Sequence, residues 1–198
     1  MAVRRILRID DPEDKKILKG KAREVRLPQS GLKQLVADMF ETMRAANGVG
    51  LAAPQVGVPQ RLIVIETPAV FEKLDDGSEV EVEPSATYAL INPEIVKSGK
   101  EEIDWTEGCL SIPGWYGEVP RPSWVTVEYT DLDGRRKRLR HAEGWLGRIL
   151  QHEIDHLDGV LFTERMRDLS TLHEIKPEDA PDERQPVGAH GEASPVAE

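Results

Sequence analysis

Two imidazoles one helical turn apart, with a carboxylate between them, form a metal site that carries its own base. The pentapeptide His152-Glu153-Ile154-Asp155-His156 supplies this set. Side chains at i and i+4 project from one face of a helix, so both histidines can reach a single divalent ion while Glu153 leans toward a water held on it. The same pattern arises by chance in ordinary helices, where paired histidines are solvated or packed. What decides between these readings is whether the chain also offers a third ligand, a stabiliser for developing negative charge and a pocket.

Zinc-type hydrolytic sites use three protein ligands and leave the fourth position to water. The extended metzincin spacing asks for a glycine seven residues and a histidine ten residues after the first histidine; Gly159 meets the first demand, but Phe162 occupies the second. A downstream glutamate of the thermolysin type could only be Glu174 or Glu178, in or next to a stretch whose composition argues against order. Cys109 is the third candidate. It sits in Glu107-Gly108-Cys109-Leu110-Ser111-Ile112-Pro113-Gly114, where glycine and proline suit a shaped turn, although a free cysteine is more often a small buried hydrophobe. A thiolate ligand would leave the bound water less acidic than an all-histidine set does, so a carboxylate base at Glu153 would matter more.

The pentapeptide needs a helix to carry it. Residues 143 to 157 read as one, with Leu146, Leu150, Ile154 and Leu157 on one stripe and Trp145, Ile149, His152, Glu153 and His156 on another. A helix apolar on most sides is a buried one. A second helix is expected over 29–46, where Leu32, Leu35, Val36, Met39, Phe40 and Met43 recur at three- and four-residue spacing before Asn47-Gly48. Short strands are expected at 61–65, 88–91, 124–129 and 135–139, separated by proline- and glycine-bearing turns. The expected class is α+β, with mixed or antiparallel sheets packed around a central buried helix that carries the HExxH motif. Residues 66–88 read as an acidic surface hairpin insertion within a catalytic domain over 1–167, and 168–198 as an acidic, proline-containing, disordered tail.

A chain of 198 residues holds one sizeable core. A net charge of −10, from 36 acidic against 26 basic residues, argues against DNA or bulk nucleic-acid binding. The basic run Gly134 to Arg140 follows a turn at Asp133-Gly134 and reads as a solvated strand face rather than an RNA contact. No apolar run approaches the length of a membrane span, the N-terminus lacks a signal-peptide core, and the single cysteine cannot form an internal disulfide. A reducing cytoplasm is the expected compartment.

Three separated segments agree with one family: Gly48 to Gln55 as GVGLAAPQ, Glu107 to Ser111 as EGCLS, and Gln151 to His156 as QHEIDH. In their order and approximate spacing the chain resembles the peptide deformylases over about residues 3 to 166. The resemblance implies hydrolysis of the N-formyl group from the formylmethionine of nascent polypeptides. It implies Cys109, His152 and His156 as metal ligands, Glu153 as general acid/base, and the Gln55 amide with the Leu110 backbone N–H as donors to the oxyanion. Val49, Gly50 and Gly108 would lend backbone groups to an extended peptide; Val49, Trp145 and Ile149, with the stem of Arg148, would hold the methionine side chain; and Glu107 would pair with Arg121 to brace the cysteine loop. Ferrous iron is the implied metal, with zinc or nickel as substitutes, and a monomer making weak ribosome contact is the implied form. Gly147 departs from the family pattern, where alanine is common, and the long family C-terminal helix is replaced by the acidic tail. Two rivals stay open: an HExxH endopeptidase using a tail glutamate, and a non-catalytic metal- or peptide-binding homologue at the ribosome.

Overall fold

A computed structural model describes residues 2–74, 77–175 and 187–188. Helix α1 (Pro12–Leu18) starts where Asp11 accepts hydrogen bonds from the N–H groups of Glu13 and Asp14, with Pro12 at the first helical position. Helix α2 (Leu32–Ala45) follows the predicted apolar spacing, burying Leu32, Leu35, Val36, Met39 and Met43. The next elements are β1 (Gly50–Ala52), a 3-10 turn (Ala53–Val56), β2 (Leu62–Thr67), β3 (Val70–Lys73), β4 (Glu79–Glu83) and β5 (Ala86–Ser98). Then come β6 (Glu102–Gly108), β7 (Trp115–Pro122), β8 (Trp124–Thr130), β9 (Arg136–Glu143) and α3 (Gly144–Leu157). Two further 3-10 turns (Phe162–Glu164 and Leu169–Thr171) lead to β10 (His173–Glu174), and β11 (Val187–Gly188) closes the described chain.

The main sheet runs β1-β2-β5-β8-β9, every neighbour antiparallel. Its strand β2 explains how the two helices are placed. Successive strand residues point to opposite faces, and Leu62, Ile63, Val64 and Ile65 are all fully buried. Ile63 and Ile65 join Ile149, Leu150, Ile154 and Leu157 of α3 in one cluster. Leu62 and Val64 join Leu35, Val36, Met39 and Met43 of α2 in the other. The sheet is therefore covered on both faces at this point, α3 packing against β1, β2, β8 and β9. The fold is mixed α+β with antiparallel sheets and few helices.

The sequence reading left out one element that the site depends on. The Glu107 to Gly117 segment, read as a break between strands, lies within the hairpin β6–β7, in which Gly108 opposes Tyr116 and Glu102 opposes Pro122. Pro120 and Pro122 can sit in a strand because β10 pairs only with Trp115 and Tyr116, so the far half of β7 is an edge with no ladder donor required. Strand β5 is also longer than the 88–91 stretch, since bulges near Asn92 and Ile95 carry it on through polar residues.

Within 66–88, the hairpin β3–β4 occupies the middle, while Glu66 and Thr67 belong to β2 and Ala86 to Tyr88 to β5. Asp168 to Ile175, the start of the expected tail, make backbone contacts: Asp168 accepts from Ser170 N–H, and His173, Glu174 and the Ile175 N–H bond along β7 and Gly114. Residues 176–186 and 189–198, the rest of the expected tail, lie outside the described residues, as does Asp75-Asp76. Among the described residues no helix is long and apolar enough to cross a membrane.

Candidate metal centre and active site

The last turns of α3 present His152 and His156 with their Nε2 atoms 3.2 Å apart, and Cys109 in the β6–β7 connection brings Sγ to 3.3 Å from His156 Nε2. All three ligand atoms lie within 4.8 Å of one another, the only such group found among the described residues. Tetrahedral bonds of about 2.0–2.3 Å to nitrogen and sulfur place ligand atoms roughly 3.3–3.6 Å apart, so the spacing fits a first-row divalent ion. The donor chemistry fits as well. Burial and the neighbouring His152 push the His156 imidazole well below its ordinary pKa, holding it in the neutral form a ligand needs. Burial opposes a charged His152, but Cys109 and Glu107 outweigh it and raise that imidazole well above its usual range. Phe162, which displaces the metzincin histidine, is buried and stacks on His152 at 6.4 Å between ring centroids. Glu174 is exposed in β10 and outside the ligand group, and Glu178 lies beyond the described residues.

Behind the ligands is a buried ion network. His152 Nδ1 lies 2.8 Å from Glu107 Oε2, which leaves Nε2 for the metal. Arg121 donates to both Glu107 oxygens, at 2.6 and 2.9 Å, and to Asp155 Oδ2 at 2.7 Å. The sequence reading paired Glu107 with Arg121 alone; Arg148 Nη1 also reaches Glu107 Oε1 at 2.9 Å. Burial disfavours the Glu107 carboxylate, yet the donors from His152 and Arg121 hold its pKa well below the usual range. Arg165 clamps Asp155 with bonds of 3.1 and 2.6 Å. Asp155 stands inside the HExxH pentapeptide; its position opposite Glu153 on the helix was the available signal for a structural partner.

In front of the ligands opens a cavity of about 430 Å³. The expected substrate residues Val49, Gly50, Gly108, Trp145, Arg148 and Ile149 border it, together with Gln55, Glu107, Cys109, Leu110, His152 and Glu153. His156 and Arg121 do not; they lie behind its wall. Arg148 differs from the expected apolar stem. Its guanidinium is taken up by Glu107 and the carbonyls of Val119 (2.8 Å) and Ile103 (2.6 Å), and it stacks over the Trp105 ring at 5.1 Å. Trp105, absent from the sequence-derived pocket, meets Trp145 edge-on at 5.7 Å and borders the cavity. In sequence it is one aromatic in a strand that was not recognised.

Gln55 sits on the 3-10 turn after β1, and its Oε1 accepts the Ala52 N–H at 2.8 Å. That bond turns the amide nitrogen outward, 3.7 Å from Cys109 Sγ and 3.3 Å from Ser111 Oγ. The Leu110 N–H has no acceptor among the described residues and stands one residue from the cysteine. Glu153 is buried and presses on Gly50: a Cβ at that position would collide with its carboxylate oxygen and with Ile149 Cγ2. A Cys109-His152-His156 group able to hold a metal, with Cys109 and His152 on the cavity, and a buried carboxylate and an amide side chain on the same wall, fit the class of metal-dependent hydrolases of amide-type bonds.

Comparison with known proteins narrows the class. The sequence model of the polypeptide deformylase family matches residues 3–171. The chain is 67% identical over 181 residues to a peptide deformylase of Roseiflexus sp. (strain RS-1), covering 91% of this chain and 98% of that one. It is 64% identical over 189 residues to that of Chloroflexus aggregans, covering 96% and 99%. A crystal structure of peptide deformylase from Ehrlichia chaffeensis in complex with actinonin superposes with a TM-score of 0.72 at 37% identity, over 86% of this chain and 92% of that one. The Met-Ala-Ser-bound class I type b peptide deformylase from Acinetobacter baumannii gives 0.69 at 35%, over 83% and 99%. The chain belongs to the polypeptide deformylase family, hydrolases that remove the N-formyl group from nascent peptides.

Proposed function

We propose that this cavity deformylates an extended formylmethionyl peptide with Glu153 as general acid/base and with the Gln55 amide and Leu110 N–H as oxyanion donors. The observation that carries the reading is the convergence of Cys109, His152, Glu153 and Gln55 on one cavity wall. Cys109, His152 and His156 would hold one divalent ion. That ion, ferrous iron in our reading with zinc or nickel as substitutes, would supply Lewis acidity to a water and to the formyl oxygen. Glu153 takes the water's proton as oxygen attacks the formyl carbon and returns it to the leaving amine. Gln55 Nε2 and Leu110 N–H donate to the carbonyl oxygen as it gains charge. Backbone groups of Val49, Gly50 and Gly108 take the peptide by strand addition. This is supported by β1 being an edge strand, hydrogen-bonded to β2 on one side only. Trp105, Trp145 and Ile149 receive the methionine side chain. We also read α3 as the central element around which the sheets are arranged, supported by its packing on all five strands of the main sheet, and we place the reaction in the cytoplasm, on nascent chains.

The test is anaerobic formate release from formyl-Met-Ala-Ser with metal content measured on the same sample. Glu153→Ala should keep the metal and lose about 10²–10⁴ in kcat; wild-type rates in that variant would overturn the assignment.

A further inference from the structure

One cavity-wall residue comes from the segment that follows α3: Ile175, eighteen residues past the end of that helix. We infer that the return segment from Arg165 to Ile175 is a strap that completes the active-site cavity, and that Ile175 makes apolar side chains preferred in the two substrate residues after formylmethionine. The inference rests on the deformylation reading of the same cavity.

The strap is anchored first on α3 and then along β7. Arg165 is held by Asp155. Met166 fills the space beside Gly117, where a Cβ would meet its Cε at 2.5 Å and Sδ at 2.8 Å. Glu118 N–H donates to Thr171 Oγ1 at 3.3 Å, His173 and Glu174 pair with Tyr116 and Trp115, and Ile175 N–H donates to Gly114 O at 2.8 Å. Because β10 runs antiparallel to β7, its C-terminal end arrives at the β6–β7 connection that carries Cys109. Ile175 therefore joins the wall formed by Pro113, Trp115 and Tyr116.

The chemistry of that wall selects its occupant. The cavity's charged side chains are Glu107, Arg148, His152 and Glu153, all in the metal half, and Glu107 is bonded to both Arg148 and His152. Pro113, Trp115, Tyr116 and Ile175 carry no charge, and Trp115 is still 38% exposed, leaving apolar surface for a ligand to cover. An aliphatic side chain laid there removes apolar area from water, whereas a carboxylate loses hydration without gaining a partner. The exposed Glu174, in register with Trp115, repels it further.

The test compares kcat/KM for formyl-Met-Leu-Leu and formyl-Met-Asp-Asp on the metal-loaded enzyme. Wild type should favour the leucine peptide at least tenfold. Ile175→Lys should reduce that ratio at least tenfold, mainly through KM, and Ile175→Val should retain it. Ile175→Ser serves the same purpose if the lysine variant does not fold. A wild-type ratio near one, or an unchanged ratio in a folded Ile175→Lys or Ile175→Ser protein, overturns the strap's role. Absence of formate release from both peptides in wild type would instead overturn the deformylation reading beneath it.

Discussion

A glutamine serves as an oxyanion donor only if its amide cannot turn over, and the Ala52 N–H bond to Gln55 Oε1 prevents that. Gln55→Ala should therefore lower kcat by about 10²–10³ with a smaller change in KM, measured by formate release. Gly50 is a second exacting position. Its Cβ-less backbone lets Glu153 and Ile149 approach, so Gly50→Ala should displace the carboxylate and reduce kcat while metal content, measured on the same preparation, stays at the wild-type level. At this scale most of the residues that the structure brings together were legible. His152, Glu153 and His156 announce themselves by i, i+4 spacing, and Cys109 and Gln55 by motifs. Ser111, Asp155 and Trp105 were not singled out, because a serine, an aspartate or a tryptophan acquires its role only from what lies opposite.

Helix α3 was predicted almost to the residue, since its apolar stripes and its site face share one period. What the helix period could not reveal is a contact at its start. Gly147 looks like a loss of about 1 kcal/mol in helix propensity, yet a Cβ there would meet the Ala142 carbonyl oxygen at 2.5 Å, where β9 turns into the helix. Gly147→Ala should thus destabilise by about 1–3 kcal/mol through overpacking rather than stabilise, seen as a lower urea midpoint. The hairpin β6–β7 makes the complementary point. Its prolines read as breaks, and only the short reach of β10 makes them acceptable. Arg121, in β7, joins that hairpin to α3 by bridging Glu107 and Asp155. Arg121→Met would leave two buried carboxylates without it and should cost about 3–5 kcal/mol. Because Glu107 orients His152, metal affinity should also fall roughly ten- to a hundredfold, which chelator competition would measure.

Across the whole molecule, acidic groups tied to specific partners set the response to pH. Asp14 is held low by the Arg5 guanidinium and by the Arg8 N–H, and Asp38 by the Gln34 amide and Arg4. Glu107 is held low against its burial by His152 and Arg121. Each has a folded pKa below its unfolded value, so its contribution is present above about pH 4–4.5 and is lost as pH falls through the folded pKa. The carboxylates' share should appear as a fall in the urea midpoint below about pH 4.5, shallower in Asp14→Asn and Asp38→Asn. The basic run on β9, by contrast, is largely matched within the chain: Arg136 and Arg138 bond to Glu128, Arg135 to Asp133, and Lys137 lies near Asp131. By itself the sequence determined the two longer helices, the HExxH spacing and the family, because helical period and motif spacing are local properties of the chain; the short α1 carries too little period to be read. Tertiary structure alone decided the three partners of Glu107, the Trp105–Trp145 pocket and the arrival of Ile175 at the cavity. Those depend on hydrogen-bonded register between segments tens of residues apart, which no local pattern of residue types specifies.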